Sequence, residues 1–289
     1  MAVVECIRQW FRSLVIHQLT IANPLMADNW MDRSALHVAA FEGRLVLLHN
    51  LLAYGADVDT VTLDNVSALH EACLSGHYEC AKLLLENGAD PDRVTLDGGT
   101  PLFYACSSGN AACVQLILER GSSPHADRHL ASPIHEAAKK NHQECLQLLL
   151  SWGAQVDLEL PLVGTPLYCA CMSQAADCAE VLLQAGADVR LGCGQDSPLH
   201  AAVRGGAAQI VALLLDFGAD ECCRNEDGQT PLDLSAENSA VRSALQRREI
   251  CSLSQLCRVS VRRSVGANHL PQISSLLLPR RLQDYLLYQ

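Results

Sequence analysis

Two short motifs recur together along this chain, one copy of each about every 33 residues. Variants of Ser/Thr-Pro/Ala-Leu-His begin at Ser34, Ser67, Thr100, Ser132, Thr165, Ser197 and Thr230, at spacings of 32 or 33 residues. Variants of Leu-Leu-x-x-Gly-Ala-Asp begin at Leu51, Leu84, Ile117, Leu149, Leu182 and Leu214. Because self-similarity at this period is typical of stacked repeats, it restricts the fold more than any other feature of the chain.

One unit of the repeat is interpreted as a pair of helices. Ser or Thr is a favoured N-cap, and Pro at the next position suits the first helical turn. The Leu-rich second segment ends at a glycine suited to a left-handed C′ position, namely Gly55, Gly88, Gly121, Gly153, Gly186 and Gly218. A single helix pair cannot bury its own apolar faces, so the units are predicted to stack into an all-α solenoid.

This pattern resembles the ankyrin repeat, in which T-P-L-H-x-A-A opens the first helix and G-A-D follows the second. The resemblance covers residues 32–236, with six complete repeats. The seventh copy, at Thr230, keeps TPLDL but lacks the Gly-Ala ending, as expected of a terminal repeat that caps the stack. The resemblance implies an ankyrin-repeat solenoid with hairpin fingers along one edge and a concave face that binds protein.

Residues 1–31 are predicted to form an N-terminal amphipathic helix or extension. The apolar residues of its first part recur at helical spacing, at Val3, Ile7, Trp10, Phe11 and Leu14. We interpret this helix as a cap on the first repeat. Membrane contact by residues 1–20 is the alternative, which the few basic residues there disfavour. The early charges make a poor secretory signal, and no apolar run reaches the ~18 residues of a membrane span. We therefore expect an intracellular, cytoplasmic protein, with association with the nucleus or the endoplasmic reticulum surface as alternatives.

The fourteen cysteines are interpreted as packing residues. Cys73, Cys106 and Cys171 share one repeat position with Ala40, Ala138 and Val203, and Cys80, Cys113, Cys145 and Cys178 share another with Leu47 and Ile210. A position that accepts Ala, Leu, Val, Ile or Cys is defined by packing. Because the chain also contains no C-x₂-C pair, we predict no metal site and no cofactor.

The repeated histidines are predicted to be structural. His37, His70, His135 and His200 share one position of the repeat, where Phe103, Tyr168 and Asp233 stand in other units. A position that recurs in every unit seldom carries unique chemistry, so each histidine is expected to bond backbone of its own or the adjacent repeat. The sequence contains no G-x-S-x-G, P-loop, H-E-x-x-H or kinase motif, and an enzyme is therefore the least favoured class of function.

The charge is divided unevenly along the chain. Residues 251–289 contain five arginines and one acidic residue, Asp284, whereas residues 1–250 carry a net charge of −15. An acidic repeat region argues against binding to nucleic acid and favours a partner protein with a basic patch. The change in charge marks a boundary near residue 250, and residues 237–250 are expected to be a linker.

Residues 251–289 are predicted to form three short amphipathic helices. Leu253, Leu256, Cys257 and Val261 fall on one helical stripe, with Arg258, Arg262 and Arg263 largely off it. Pro271 and Pro279 are suited to open the second and third helices. Three short helices in about 40 residues make a marginal core, so their apolar stripe needs a partner. The structural alternative is that this segment only caps the solenoid.

The C-terminal segment resembles a SOCS box. The family pattern S-L-x-x-x-C-x-x-x-V is matched at Ser252, Leu253, Cys257 and Val261. The resemblance implies elongin C binding, together with elongin B, through Leu253, Leu256, Cys257 and Val261. In the family the Leu fills a deep pocket and the Cys packs beside it, and here these roles fall to Leu253 and Cys257.

The second part of the SOCS box pattern selects cullin-5 and its RING subunit. It is matched at Leu276, Leu278, Pro279, Leu282, Tyr285 and Leu286. Leu277 stands where the family usually has a first Pro, a departure that bears on the strength of cullin pairing.

Ankyrin repeats followed by a SOCS box resemble the ankyrin repeat and SOCS box family, and the wording of the repeats is most similar to its compact 5/9/11 subgroup. The resemblance implies a non-catalytic substrate receptor of a ubiquitin ligase, which promotes ubiquitination and proteasomal degradation of an unidentified protein. The alternative is a scaffold or inhibitor protein. Substrate contacts are expected on the inner face and fingers, at Trp30, Val66, Glu71, Leu96, Tyr104, His129, Leu130 and Glu136.

Overall fold

The computed structural model describes residues 32–125, 132–237, 239–246, 257, 260–262, 264–265, 273 and 278–287. The predicted N-terminal helix lies outside these residues. The chain divides into two compact units, Met1–Ala131 and Ser132–Gln289.

The first unit contains three helix pairs among its described residues. They are α1 (Ala35–Phe41) with α2 (Leu45–Ala53), α3 (Ala68–Leu74) with α4 (Tyr78–Glu86), and α5 (Pro101–Ser108) with α6 (Ala111–Glu119). The first helices of successive pairs pack on one another, α1 on α3 and α3 on α5. Alanines of this layer, such as Ala39, Ala72 and Ala105, have no exposed surface. Their small side chains let the helices approach closely.

The second unit continues the same pattern. Its helices are α7 (Pro133–Lys139), α8 (Gln143–Ser151), α9 (Pro166–Met172), α10 (Ala176–Gln184), α11 (Pro198–Arg204), α12 (Ala208–Asp216), α13 (Pro231–Leu234), α14 (Ala240–Gln246) and α15 (Arg280–Leu287). In the part of the chain that the structure describes, the only extended pairing is a set of isolated antiparallel bridges within the fingers, such as Leu160 with Gly164. None of the described helices is long and apolar enough to cross a membrane.

The helix boundaries follow from the caps that the sequence predicts. The hydroxyl of Thr100 accepts the Phe103 N–H at 3.2 Å, and that of Thr165 accepts the Tyr168 N–H at 3.3 Å. The six glycines that follow the second helices all have a left-handed φ, between 83° at Gly218 and 99° at Gly186. Since an L side chain is strained there, glycine ends each of these helices at low cost.

The repeated histidines join each unit to the loop that follows it. The Nε2–H of His37 donates to the Val66 carbonyl at 2.9 Å, and that of His135 to the Gly164 carbonyl at 3.0 Å. His70 and His200 make the same kind of bond, to the carbonyls of Arg93 and Gln229. Burial lowers the pKa of His70 and of His135 to about 4, so both are neutral at physiological pH. The predicted structural role of these histidines is confirmed.

The repeated cysteines lie in the core. Cys73, Cys106 and Cys171 have no exposed surface, and Cys80, Cys113, Cys145 and Cys178 are also buried. Burial raises the pKa of Cys145 to about 11 and that of Cys178 to about 12, so the thiols stay protonated. These residues fill packing positions, as predicted. Within the described residues no three His, Cys, Asp or Glu side chains are grouped closely enough to hold a metal ion.

The seventh ankyrin repeat has a second helix, in residues that the sequence predicted to be a linker. Helix α14 falls within residues 237–250 and packs on α12. Its Val241 and Leu245, four residues apart, are 4% and 6% exposed and supply the apolar contact. The helix was missed because it lacks the Leu-Leu and Gly-Ala signature of the other second helices. The Ser239 hydroxyl accepts the Arg242 N–H at 3.1 Å and caps the helix, and packing against α12 stabilises so short a segment.

Candidate functional site

The fingers between units are closed hairpins that carry apolar side chains. In the first unit the Thr62 N–H donates to the Val66 carbonyl at 2.9 Å, and the Thr95 N–H to the Gly99 carbonyl at 2.9 Å. In these turns Leu63 is 85% exposed and Leu96 is 70% exposed. Large apolar side chains held in solvent on a rigid turn are suited to contact another protein.

The second unit has a more strained finger. The N–H groups of Leu160 and Gly164 each bond the other residue's carbonyl at 2.9 Å, and Leu162 between them is 98% exposed. The φ of Leu162 is 65°, in the left-handed region that leucine rarely adopts. The cost of this conformation is offset by the hairpin bonds and by the His135 bond to the Gly164 carbonyl. The finger therefore holds Leu162 outward.

Several residues predicted to contact substrate lie at or near the surface. Leu96 is exposed, while Val66 and Tyr104 are half-buried. The Tyr104 ring meets the His70 ring edge-on, with centroids 5.4 Å apart. Glu136 is half-buried and pairs with Lys140 at 3.2 Å. Trp30, His129 and Leu130 lie outside the described residues.

Glu71 departs from the expectation that it contacts substrate. Its side chain is 2% exposed and pairs with the Arg33 guanidinium at 2.9 Å. Burial raises the pKa of Glu71, and the Arg33 charge acts in the opposite direction. Arg33 lies over the Phe41 ring at 5.6 Å and keeps 23% of its side chain exposed. Arg33 is therefore the more accessible member of the pair, and we leave Glu71 out of the proposed substrate contacts.

The sequence did not predict a polar network that joins α9 and α11 to the finger before α11. The Tyr168 hydroxyl donates to the Asp196 carboxylate at 2.8 Å and accepts a bond from Arg204 at 3.3 Å, and Arg204 also pairs with Asp196. Burial raises the pKa of Tyr168. Tyr168 stands at the histidine position of its repeat, and that departure was the signal available in the sequence. The network holds Arg204, 38% exposed, in one orientation.

The described part of the predicted elongin-binding stripe faces outward. Cys257 is helical and exposed, and Val261, four residues later, is 40% exposed. Their spacing places both side chains on one helical face. Leu253 and Leu256 lie outside the described residues. Arg262, expected on the polar side of the stripe, is instead buried, with 8% of its surface exposed.

The predicted cullin-binding residues divide between surface and core. Pro279 and Leu282 are exposed, Leu278 and Tyr285 are half-buried, and Leu276 lies outside the described residues. Leu286 differs from the expectation, since it is 6% exposed. It packs with Ile273 in a small core that Val265, Leu278 and Leu287 flank. Leu286 therefore stabilises the C-terminal segment itself.

Family models match most of the chain. Models described as ankyrin repeats (many copies) match residues 36–85, 69–118 and 182–235, and one described as ankyrin repeats (3 copies) matches residues 131–193. A SOCS box model matches residues 249–287.

Curated relatives are similar over most of their length. Ankyrin repeat and SOCS box protein 11 of Danio rerio is 58% identical over 98% of this chain and 96% of its own. Ankyrin repeat and SOCS box protein 5 of Mus musculus is 58% identical over 90% of this chain and 80% of its own. Ankyrin repeat and SOCS box protein 9 of Mus musculus is 54% identical over 94% of each.

Solved structures show the same fold. The crystal structure of the human ASB11 ankyrin repeat domain aligns with a TM-score of 0.72 at 52% identity, over 74% of this chain and 96% of that one. The ankyrin repeat domain of Bcl-3, an IkappaB family member, aligns with a TM-score of 0.60 at 27% identity, over 74% of this chain and 98% of its own. The predicted all-α ankyrin-repeat solenoid with a C-terminal SOCS box is confirmed.

Proposed function

Because the chain belongs to the ankyrin repeat and SOCS box family, we propose that it is the substrate-recognition subunit of an E3 ubiquitin ligase. The SOCS box recruits elongins B and C, cullin-5 and its RING subunit, and the repeats hold a substrate protein for ubiquitination and proteasomal degradation. The observation that carries the proposal is one chain that joins two outward-facing apolar surfaces, the fingers with Leu63 and Leu96, and the stripe with Cys257 and Val261.

The proposed mechanism is proximity. A receptor that binds both substrate and ligase raises the effective concentration of substrate lysines near the ubiquitin-charged conjugating enzyme. The bond-making chemistry belongs to the partner subunits, so the receptor itself supplies no catalytic side chain. The compartment proposed for this reaction is the cytoplasm.

Elongin C is proposed to bind Leu253, Leu256, Cys257 and Val261. Burying one leucine in a partner pocket contributes about 2–3 kcal/mol. At about 1.4 kcal/mol for each tenfold change in affinity, Leu253 alone accounts for roughly thirty- to a hundredfold. The exposure of Cys257 and Val261 supports this assignment because both side chains are accessible to a partner.

Cullin-5 is proposed to contact the start of α15 and the residues before it. Pro279 and Leu282 are the exposed members of the predicted set. Leu276, Leu278 and Tyr285 complete the proposed surface. Leu286 acts on it indirectly, through the small core beneath.

The substrate is proposed to bind the fingers and the first helices of the repeats. Leu96, Val66, Tyr104 and Glu136 are the described residues retained from the sequence analysis, and Trp30, His129 and Leu130 stay in the proposal. The net charge of −15 on residues 1–250 favours a substrate with a basic surface, since complementary fields speed encounter.

Co-purification with elongins B and C tests this proposal. The Leu253→Asp/Cys257→Asp double variant places two carboxylates in the proposed pocket and is expected to lose both elongins. The matched control is Leu63→Asp/Leu96→Asp, which alters the exposed fingers and should retain them.

Retention of elongins by the first double variant contradicts the proposal. If the wild-type chain binds no elongin and the first double variant only lowers the melting temperature, the C-terminal segment is a cap and the scaffold alternative stands.

A further inference from the structure

Arg262 is a buried arginine at the junction between the repeats and the C-terminal segment. One nitrogen of its guanidinium donates to the Leu286 carbonyl at 2.8 Å. The other terminal nitrogen donates to the carbonyls of Leu183 at 2.9 Å and Gln184 at 3.1 Å. The guanidinium also lies 5.7 Å from the centre of the Phe217 ring. A single side chain therefore joins parts of the chain that are 79 residues apart in sequence.

The acceptors of Arg262 lie in the last turns of two helices. Leu183 and Gln184 end α10, in the fifth repeat, and Leu286 lies in the last turn of α15. The final carbonyls of a helix have no partner within it and carry its negative dipole end. The Leu183 carbonyl also accepts the Gly186 N–H at 3.1 Å, and Arg262 adds a second, charged donor to it. The three bonds to the ends of the two helices offset the cost of burying the guanidinium charge. The planar fork of arginine reaches both helices at once, whereas a lysine ammonium is a single point charge.

The burial of Arg262 determines which way its neighbours face. Val261 is 40% exposed and Arg262 is 8% exposed, although the two are adjacent. An α-helix turns about 100° per residue, so Arg262 lies on a different face from Cys257 and Val261. The bonds of Arg262 hold its face against the repeats, while Cys257 and Val261 stay exposed. We propose that Arg262 is a positioning residue that fixes the orientation of the SOCS box on the fifth and sixth repeats, and so the direction in which bound elongin is presented.

This proposal rests on the proposed function for its biological meaning, but orientation can be measured without it. Spin labels introduced as non-natural residues at Gln209, exposed on α12, and Arg280, exposed at the start of α15, report the distance from repeats to box. The variants are Arg262→Ala and Arg262→Lys, in the full chain purified with elongins B and C. The control is Arg281→Ala, which removes an exposed positive charge from α15.

The width of the distance distribution is expected to increase at least about twofold in Arg262→Ala, less in Arg262→Lys, and not in Arg281→Ala. Elongin affinity is expected to stay within about threefold of wild type in all three. A distribution of unchanged width in Arg262→Lys and Arg262→Ala overturns the proposal. If the chain fails to bind elongins, the same comparison on the free chain still tests Arg262, and only the proposed function fails.

A second, independent observation concerns the choice between lysine and arginine. The chain has 21 lysines and arginines, of which three are lysines, Lys82, Lys139 and Lys140. Residues 141–289 contain eleven arginines and no lysine. Geometry explains some of them, such as Arg262 and Arg190, which forms a forked pair with Asp188. An exposed helix position such as Arg281 would be solvated equally well by lysine.

Arginine keeps the positive charge of lysine but cannot accept ubiquitin. The amine of a lysine attacks the thioester carbonyl of a charged conjugating enzyme, so that a C–N bond forms, the C–S bond breaks and the enzyme's thiol leaves with the proton. A guanidinium stays protonated and is not a nucleophile under these conditions. Given the proposed function, we infer that the arginine-only half of the chain protects the receptor from modification by its own ligase, and confines self-modification of side chains to Lys82, Lys139 and Lys140.

A self-ubiquitination assay with the assembled ligase tests this inference. The parent is a chain with Lys82, Lys139 and Lys140 all changed to Arg, and the test variant adds Arg224→Lys and Arg281→Lys, both at exposed positions. These changes conserve charge and are expected to preserve the fold. Peptide mapping is expected to find ubiquitin on both new lysines, and total self-modification is expected to rise at least about fivefold over the parent.

Discharge of the conjugating enzyme to free lysine reports whether the ligase is assembled and active. If discharge is accelerated but the new lysines stay unmodified, the inference is overturned while the proposed function stands. If the chain does not accelerate discharge at all, the proposed function is wrong, and the inference that rests on it is wrong as well.

Discussion

The close approach of two consecutive fingers in the second unit makes a quantitative prediction about Gly164. A Cβ at this position would lie 2.6 Å from the Gly192 carbonyl oxygen and 2.9 Å from the Cys193 Cβ. The same carbonyl accepts the Thr165 N–H at 3.2 Å, so moving it away weakens a hydrogen bond between the fingers. Gly164→Ala is therefore expected to strain the backbone and to push the fingers apart.

Gly153 provides the matched control. Its φ is 88° and that of Gly164 is 84°, but a Cβ at Gly153 would meet nothing within 4 Å. Left-handed backbone costs an alanine about 1–2 kcal/mol at either position. Overpacking adds about 1–3 kcal/mol at Gly164 alone. We expect Gly153→Ala to lower the free energy of unfolding by about 1–2 kcal/mol, and Gly164→Ala by about 2–5 kcal/mol.

Urea unfolding of the full chain, followed by circular dichroism, measures this difference through the transition midpoint at unchanged slope. Calorimetry gives a second measure, with about 2–4 °C of melting temperature for each kcal/mol in a unit of this size. Equal destabilisation by the two variants would contradict this prediction, because it would mean that the contact between the fingers contributes nothing beyond the glycine conformation.

Three further predictions concern buried and exposed polar groups. First, the pKa of His70 and of His135 is about 4 in the folded chain against 6.5 in the unfolded chain, so the unfolded state binds protons at the higher pH. The free energy of unfolding should therefore fall as the pH drops from 6.5 towards 4. The urea midpoint should depend less steeply on pH in His135→Gln than in the wild type. Second, Arg33→Ala leaves the Glu71 carboxylate buried without its cation and should lower the free energy of unfolding by about 1–3 kcal/mol. Adding Glu71→Gln removes the unpaired charge and should restore part of the lost stability, as measured by chemical denaturation. Third, Cys222 and Cys257 are exposed, so a thiol reagent should modify them in the native chain before the buried cysteines, and mass spectrometry should show that elongins B and C protect Cys257 but not Cys222.

The repeat units were predictable from the sequence because their signals are local and repeated. Thr100 and Thr165 cap helices, Gly186 ends one, and His135 bonds the next loop, all through residues close in sequence or one repeat away. The same register identified Cys171 as a packing residue. A pattern that occurs several times in phase leaves few alternatives for any one copy.

Parts of the candidate site were less predictable because burial there depends on single contacts. Glu71 has the polar character of an exposed residue, but Arg33 covers it. Leu286 belongs to an apolar set that fits a partner surface, yet it packs against Ile273 within the segment. Helical periodicity identifies an apolar stripe without showing whether the stripe faces the core or a partner.

The ankyrin-repeat fold and the roles of the repeated histidines and cysteines could be predicted from the amino-acid sequence, because each depends on contacts within one repeat or between neighbouring repeats. The order of repeats and SOCS box follows directly from the order of their motifs. The packing of α14 in the seventh repeat and the burial of Arg262 against α10 and α15 became evident from the structure alone. For Arg262 the cause is the long separation along the chain between the groups in contact. Arginine is usually solvated, but Arg262 is buried because the fold brings it to backbone carbonyls as far as 79 residues away along the chain.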